Sequence, residues 1–244
     1  TDSISEVIRV ANLENVSSIS ANNFNTCAVT LDGSVYCWGL NTYGQLGNGS
    51  TLDSFIPTKV IGLPNAARVS VGLHHACAIT WRHDVYCWGR NNFAQLGIPS
   101  LNYANSSSAL RVIQGGNDNS YGITLYGPRF ISAGAVHTCV ITTIDTLCWG
   151  YGVNGQLGNR GLTSSTSPVP VYPESSYNYN SISSGVGYTC AVLTELAPST
   201  AVDPNLGCWG TYAPVVIPNY SLARVIKSGL DNMNYDARTV VAIN

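Results

Sequence analysis

The sequence predicts an all-β fold in which a four-stranded unit recurs, the architecture of a β-propeller. A segment that begins and ends with cysteine and continues into Trp-Gly occurs four times, with its tryptophan at Trp38, Trp88, Trp149 and Trp209. These tryptophans lie about 50 to 60 residues apart, close to the length of one propeller blade plus insertions. Within each segment apolar residues alternate with others at a period of two, which is typical of β-strands.

Each unit supplies four strands. In the first unit, the runs 27–31 and 35–37 are joined by a short polar link and predict a hairpin. A short apolar strand precedes each hairpin and ends in glycine in later units, as in 69–72. That glycine allows close backbone approach near a central axis, or a sharp bend. A Gly-Gln-Leu-Gly turn at 44–47 and an apolar run at 57–60 complete the unit.

The chain is interpreted as one domain, residues 1–244, with four to five blades. The predicted boundaries of the repeat units are approximately 17–66, 67–128, 129–180 and 181–224, followed by a partial unit at 225–244. Seven such units would need about 350 residues. The chain is therefore either part of a larger ring or open array, or a smaller ring in which the run 7–10 supplies a missing outer strand.

Three consecutive motifs carry a family resemblance. They are Gly-x-x-His-x-Cys at 72–77 and 134–139, Asp-Gly-x-Val-Tyr-Cys-Trp-Gly at 32–39, and Asn-x-x-Gly-Gln-Leu-Gly at 41–47. Together they resemble the repeat of the regulator of chromosome condensation family, whose members typically form seven-bladed β-propellers. The fourth copy departs from the pattern, since it lacks the Gln-Leu-Gly turn after Trp209.

All eight cysteines fall into pairs within units: Cys27 with Cys37, Cys77 with Cys87, Cys139 with Cys148, and Cys190 with Cys208. A turn centred on Asp32 places the first two cysteines opposite each other on neighbouring strands, at a separation that suits a disulfide. The third pair requires a two-residue turn at Thr143 and Ile144. Zinc is the competing interpretation, but the close ligand pairs of structural zinc sites are missing. Disulfides predict an oxidising, extracellular compartment, secreted or at the cell surface.

Composition narrows the range of partners. Only 10% of residues are charged, against about 25% in typical soluble domains. The net charge is −2, and the 11 Lys and Arg residues are scattered, which argues against nucleic acid and against the nuclear activities of the resembled family. No apolar run approaches the roughly 18 residues of a membrane helix. Thr1 follows no leader, so we expect a mature product or an excised part.

Four Asn-x-Ser sequons predict glycosylation in a eukaryotic host, at Asn15, Asn48, Asn105 and Asn219. His74, His75 and His83 form the one histidine cluster in the sequence, but His75 shares its repeat position with Asn25, His137 and Tyr188, which favours a structural role. No nucleophile motif, phosphate-binding loop or carboxylate pair is present. We therefore expect neither an enzyme nor a bound metal or cofactor.

The leading functional hypothesis is an extracellular protein-binding or assembly module that contacts other proteins or copies of itself, with 101–126 and 172–188 as contact surfaces. The alternative is a carbohydrate-binding propeller in which exposed aromatic side chains stack on sugar rings. Its candidate residues are Trp81, Tyr103, Tyr121, Tyr126, Tyr177 and Tyr179. A lesser alternative, an inhibitor of a secreted enzyme, rests on fold analogy alone.

Overall fold

The structure is a computed structural model that describes residues 6–113, 125–172, 177–195 and 205–211, together with the strands 223–228 and 239–243. At 177–178, 194–195, 205 and the last two strands, the backbone alone is described. Within these ranges the chain forms five antiparallel sheets in chain order. The architecture is the predicted all-β propeller of four-stranded blades.

The strands follow the repeat. The first sheet contains β1 (Val16–Asn22), β2 (Asn25–Thr30), β3 (Val35–Gly39) and β4 (Ser54–Lys59). The second contains β5 (Ala66–Val71), β6 (His75–Thr80), β7 (Val85–Gly89) and β8 (Ser106–Arg111). The third contains β9 (Phe130–Ala133), β10 (His137–Ile141), β11 (Thr146–Gly150) and β12 (Ser165–Pro170). The fourth contains β13 (Tyr177–Ser184), β14 (Tyr188–Glu195) and β15 (Asn205–Gly210), and the fifth β16 (Ala223–Ser228) and β17 (Thr239–Ile243). A 3-10 helix, Pro99–Leu101, lies between β7 and β8.

The central hairpin of each unit has the predicted register. Cys27 lies opposite Cys37, and the Thr30 N–H donates to the Ser34 carbonyl at 2.9 Å across the turn. Asp32 closes this turn by accepting hydrogen bonds from Thr30 and Ser34, which lower the pKa of its carboxyl group. In the third unit the Thr142 N–H donates to the Asp145 carbonyl at 2.8 Å. The two residues between them form the tight turn that the sequence predicted.

Four disulfides join β2 to β3 and the equivalent strands of the next three units, in the predicted pairs. Their Cα–Cα separations are 4.1, 4.1, 4.1 and 4.0 Å. The described chain contains no free cysteine. Each disulfide therefore staples the two central strands of its own blade.

The central strands are more deeply buried than an alternating pattern indicates. Cys27, Ala28 and Val29 are consecutive in β2, yet all three are buried. Both faces of β2 are covered because it lies in the middle of a sheet that packs face to face within the propeller. Leu31, which continues the apolar alternation, is instead exposed, because it lies in the turn beyond the last ladder pair.

The first strand of each unit packs against the first strand of the next. The Ser20 hydroxyl accepts from the Val71 N–H at 3.0 Å, and Ser70 accepts from the Ala133 N–H at 2.9 Å. A Cβ at Gly72 would lie 2.4 Å from the Gly134 carbonyl oxygen. The glycine thus serves close backbone approach between units, the first of the two predicted alternatives.

In each of the first three units, the Gln-Leu-Gly turn binds the tryptophan of the following unit. The indole N–H groups of Trp88, Trp149 and Trp209 donate to the carbonyls of Gln45, Gln95 and Gln156 at 3.0, 2.9 and 2.9 Å, respectively. The final glycine of the turn has a positive φ and lies directly against the indole. At Gly97 a Cβ would come within 2.6 Å of Trp149 Nε1. This motif is therefore the joint between neighbouring blades.

Two buried histidines extend that joint. His75 Nε2 lies 2.8 Å from the Thr138 hydroxyl, which donates to the Gln95 carbonyl at 2.9 Å. Because the hydroxyl proton is used on the carbonyl, the imidazole must donate its Nε2–H. His137 makes the same contact with Thr189 at 2.8 Å. Burial lowers the pKa of both histidines to about 3, so both are neutral.

The N-terminal run differs from one expectation. Val7, Ile8 and Val10 are exposed, and the described residues 6–10 are outside all five sheets. The alternative in which the run 7–10 supplies an outer strand is therefore wrong for this structure. Such a strand would bury alternate apolar side chains against a neighbouring strand, and no such burial is seen in this segment.

Replacing Cys77 and Cys87 together by alanine is expected to lower the free energy of unfolding by about 2–4 kcal/mol, because the disulfide constrains the unfolded chain. Denaturant unfolding followed by fluorescence measures the change. The Leu31→Ala variant, altered at an exposed turn position, serves as the control and should stay close to wild type. Equal stability of the cysteine variant and wild type would contradict this account.

Acidification is expected to destabilise the protein between about pH 6.5 and pH 3. In the folded chain His75 and His137 remain neutral down to about pH 3, whereas in the unfolded chain they bind protons near pH 6.5. The unfolded state binds more protons in this window, so the free energy of unfolding decreases as the pH falls. Thermal unfolding at a series of pH values measures the effect.

The matched control is the His75→Asn, His137→Asn double variant, which introduces the residue found at Asn25 in the first unit. Between pH 6.5 and about pH 5, where most carboxylates are still ionised, the melting temperature of this variant should depend less on pH than that of wild type. The same pH dependence in both proteins would show that these histidines do not cause the loss.

Candidate functional site

The strand directions give the described units two distinct faces. One face carries the turns of the central hairpins, including Leu31, Trp81 and Thr143; we call it the hairpin face. The other carries the Gln-Leu-Gly turns, where β2 begins and β3 ends; we call it the Gln-Leu-Gly face. Loops held on a rigid β scaffold are the usual place for binding residues.

A continuous row of five side chains crosses the first three units on the Gln-Leu-Gly face. We call it the aromatic–arginine row, and its members are Tyr43, His74, Arg90, Phe93 and Tyr151. Arg90 Cζ lies 4.8 Å from the centre of the Tyr43 ring and 5.6 Å from that of Phe93. The Tyr43 and His74 rings are 5.1 Å apart, as are those of Phe93 and Tyr151. All five side chains are partly buried.

The fold dictates how this row assembles. Tyr43 and Phe93 occupy the same position of successive turns, where each N–H donates to a glutamine side chain, Gln45 at 2.8 Å and Gln95 at 2.9 Å. Arg90 and Tyr151 both follow a Trp-Gly pair, one unit apart. The turn residue of one unit therefore meets the residue after Trp-Gly of the next. This repeats across the first two joints between units.

The row carries a positive charge without an ionic partner in the described part of the chain. The ion pairs found there are Arg9 with Glu14 and Arg111 with Asp84. Arg90 Nε and His74 Nδ1 are buried and have no hydrogen-bond partner. Burial, and then the charge of Arg90, lowers the pKa of His74. The row thus presents one cation framed by aromatic rings.

A second feature lies on the hairpin face, between the second and third units. Trp81 has 53% of its surface exposed and lines a groove of about 610 Å³ together with Arg68, Arg129 and Phe130. Arg68 Cζ stacks over the Phe130 ring at 5.0 Å. Of the aromatic residues that the sequence proposed and whose side chains the structure describes, Trp81 is the one that lies in this groove.

The other proposed aromatic residues whose side chains the structure describes do not join Trp81. Tyr103 and Tyr126 are exposed in separate connecting segments. Tyr179 is partly buried, and its ring packs edge-on against Trp209 at 6.4 Å. Tyr121 lies outside the described residues, as do parts of both proposed contact surfaces, and only the backbone of Tyr177 is described. The sequence therefore predicted individual exposed rings, whereas it missed the aromatic–arginine row.

Three of the four sequons lie in described segments. Asn15 and Asn105 are exposed, directly before strands β1 and β8. Asn48 is partly buried, and its side chain accepts from the Ser50 N–H at 3.1 Å and donates to Thr58 at 3.4 Å. Asn219 lies outside the described residues. Glycosylation of any of them remains a prediction.

Strand β6 separates His83 from the other two histidines of the sequence cluster. His75 is part of the inter-blade joint, His74 lies at the Gln-Leu-Gly face, and His83 lies in the hairpin turn at the other end. Within the described ranges, no group of three or more histidine, cysteine or carboxylate side chains could hold a metal ion. No helix there is long and apolar enough to cross a membrane.

Stacked four-stranded sheets joined through Trp-Gly and Gln-Leu-Gly define the class as a repeat β-propeller. The chain belongs to the regulator of chromosome condensation (RCC1) repeat family. Two models of this repeat match it, one at residues 32–79 and 145–192 and the other at 16–45 and 66–95. Together these matches cover more than half of the chain.

Solved structures with the same fold include human WBSCR16, 17% identical, with a TM-score of 0.76 over 98% of this chain and 61% of that one. Yeast RCC1 (Prp20), in a complex with Kap60, is 18% identical, with a TM-score of 0.68 over 90% and 54%. The ectodomain of the Physcomitrella patens receptor kinase CR4 is 18% identical, with a TM-score of 0.54 over 99% and 55%. The chain spans about six-tenths or less of the length of these proteins.

Proposed function

We propose that this propeller is an extracellular protein-binding scaffold and that the aromatic–arginine row is its contact surface. The observation that carries the proposal is Arg90, held between the rings of Tyr43 and Phe93 without an ionic partner among the described residues. The role is one of binding rather than catalysis. The partner is another protein or a second copy of the chain, and it presents a carboxylate to Arg90.

The composition of the row suits a protein interface. Tyrosine and arginine are enriched among the residues that contribute most to the binding energy of protein interfaces. Stacking against rings leaves the in-plane N–H groups of a guanidinium available for a carboxylate. Arg90 has two such rings around it and its Nε is buried, so its two terminal nitrogens are the groups that would make a bidentate contact.

The scaffold beneath the row is rigid. Disulfides staple the central strands of each contributing unit, and the Gln45 and Gln95 carbonyls bind the tryptophans of the following units. A partner therefore meets side chains whose backbone is already ordered. Preorganisation of this kind reduces the entropy lost on association.

The extracellular setting is supported by the four disulfides, which persist in oxidising compartments. Structures that share the fold include a receptor kinase ectodomain. Others bind proteins: yeast RCC1 is bound by Kap60, and Prp20p binds Gsp1p and histones. These neighbours support protein binding as a use of this fold, while the partner of the present chain differs from theirs in this proposal.

Replacing Arg90 by alanine is expected to weaken binding of the physiological partner by at least about tenfold, as for an interface residue of high energetic importance. The partner is first isolated on the immobilised native protein from the medium or surface extract of source cells, and is identified by mass spectrometry. Affinities of purified partner for wild type and variant are then measured by calorimetry. Sedimentation of the chain alone tests binding to a second copy.

Arg160→Ala is the matched control, because Arg160 stacks on a single ring, that of Tyr172, at 4.9 Å. The Arg160→Ala variant should bind the partner with the affinity of wild type. Tyr43→Ala, like Arg90→Ala, should weaken binding of the partner. Equal affinity of the Arg90 variant and wild type would refute the assigned surface. A chain that binds no protein and does not self-associate would refute the proposed function.

The native protein is expected to carry all four disulfides when it is isolated from its source. Intact mass measured before and after reduction should differ by two hydrogens for each disulfide. Fully reduced cysteines in freshly isolated, thiol-blocked protein would contradict the extracellular setting. The same spectra would show whether any sequon carries a glycan.

Carbohydrate binding is the second candidate function, and one observation favours it. Trp81 presents about half of its surface at a groove whose volume, about 610 Å³, lies within the range of small-molecule sites. An exposed indole beside a groove offers the apolar plane on which a sugar ring can stack. This candidate uses the hairpin face and is independent of the aromatic–arginine row.

A further inference from the structure

The groove beside Trp81 lies where the hairpin turn of the second unit meets the first strand of the third, and we call it the Trp81 groove. Its lining residues are Ala67, Arg68, Ile79, Thr80, Trp81, His83, Pro128, Arg129 and Phe130. Its walls therefore combine an exposed indole with two arginines from successive units.

Among the described units, this combination occurs at one joint. Leu31 and Trp81 are equivalent, because each donates its N–H to the residue directly before the first strand of its unit, Asn15 and Asn65, at 2.7 and 2.9 Å. The third unit carries Thr143 in its hairpin turn instead. The strand positions opposite Val29 and Ile79 are likewise equivalent, and they hold Ser18 and Arg68. The first joint thus offers leucine and serine where the second offers tryptophan and arginine.

At the preceding joint, two hydrogen bonds hold the hairpin turn against the next unit. At the Trp81 groove the sequence removes the donors for these bonds, which leaves the groove open. Between the first two units the Ala66 N–H donates to the Gly33 carbonyl, and the Asn65 side chain donates to the Asp32 carbonyl, both at 2.7 Å. The third unit carries Gly127-Pro128 in the corresponding stretch. Pro128 has no backbone N–H with which to make such a bond.

The charge of the groove is positive and unneutralised within the described chain. Neither Arg68 nor Arg129 forms an ion pair with a described residue. Asp84 follows His83 in the same turn, but its carboxylate is paired with Arg111 at 2.5 Å. Stacking on Phe130 holds the Arg68 guanidinium in place and leaves its edge for an in-plane acceptor.

We propose that the Trp81 groove binds an acidic saccharide, with the sugar ring stacked on Trp81 and its carboxylate held by Arg68 and Arg129. The inference rests on the second candidate function and names its ligand class. A bidentate arginine contact suits a planar anionic acceptor such as a carboxylate, and the indole favours a ligand with an apolar flat side. The limited volume favours a small saccharide over an extended protein surface.

The test is calorimetric titration of the full chain with trigalacturonate and with its methyl ester, which keeps the sugar but removes the charge. Trigalacturonate is expected to bind and the ester to bind at least about tenfold more weakly, as for loss of charged hydrogen bonds. Affinity should fall as salt increases, since the arginines are solvent-accessible. Binding should also change the fluorescence of wild type through Trp81.

Variants locate the site. Trp81→Ala, Arg68→Ala and Arg129→Ala should each reduce trigalacturonate affinity by about tenfold or more. Leu31→Ala, the equivalent turn position of the first unit, and Arg160→Ala are matched controls and should bind like wild type. Circular dichroism and melting temperature verify that every variant is folded, because all five positions are exposed.

The possible results distinguish a loss of acidic specificity from a loss of carbohydrate binding at the groove. Equal affinity for acid and ester, lost in Trp81→Ala, overturns the acidic specificity and leaves carbohydrate binding in place. No binding of either sugar, or binding unaffected by the groove variants, overturns the groove as a saccharide site. Tighter binding of triglutamate than of trigalacturonate, dependent on the same arginines, overturns the saccharide in favour of an acidic peptide.

Discussion

One backbone carbonyl in each of the first three units, that of the glutamine in the Gln-Leu-Gly turn, joins the blade to the next one. It accepts the indole N–H of the next unit, and at Gln95 and Gln156 it also accepts a threonine hydroxyl. The glycine that ends the turn must lack a side chain because the indole occupies that space. The spacing of Trp-Gly and Gln-Leu-Gly is thus the requirement for one blade to dock on another.

Cohesion within and between blades has different physical origins. Within a blade, a disulfide bridges the two central strands, and this constraint acts mainly on the unfolded chain. Between blades, buried hydrogen bonds and apolar packing act in the folded state, and their polar groups are costly to leave unpaired. His75 and His137 belong to this second set, since each contacts a threonine of the adjacent blade. Their neutral form therefore contributes to the packing of one blade on the next.

Residue patterns within one unit predicted the features that depend on that unit alone. The disulfide pairs and the two-residue turn at Thr143 and Ile144 follow from counting positions along a hairpin, and the structure contains both. The aromatic–arginine row could not be found in this way, because it joins Tyr43 to Arg90 across a joint whose geometry is set by the fold. The aromatic residues at the same position of two successive turns, Tyr43 and Phe93, were the available signal. The sequence indicated that Trp81 is exposed, but not that Arg68 and Arg129 lie beside it.

The two proposed surfaces use positions that the joint leaves free to vary. The second unit contributes to both, since His74 in the aromatic–arginine row directly precedes strand β6 and Trp81 at the groove directly follows it. Between these ends, residues 75–80 are all buried and connect the two faces through the interior of the blade. A protein partner on one face and a saccharide on the other would therefore contact opposite ends of the same strand without competing for space. Because the interior is already closely packed and stapled, the two sites are expected to bind independently unless binding moves the blade itself.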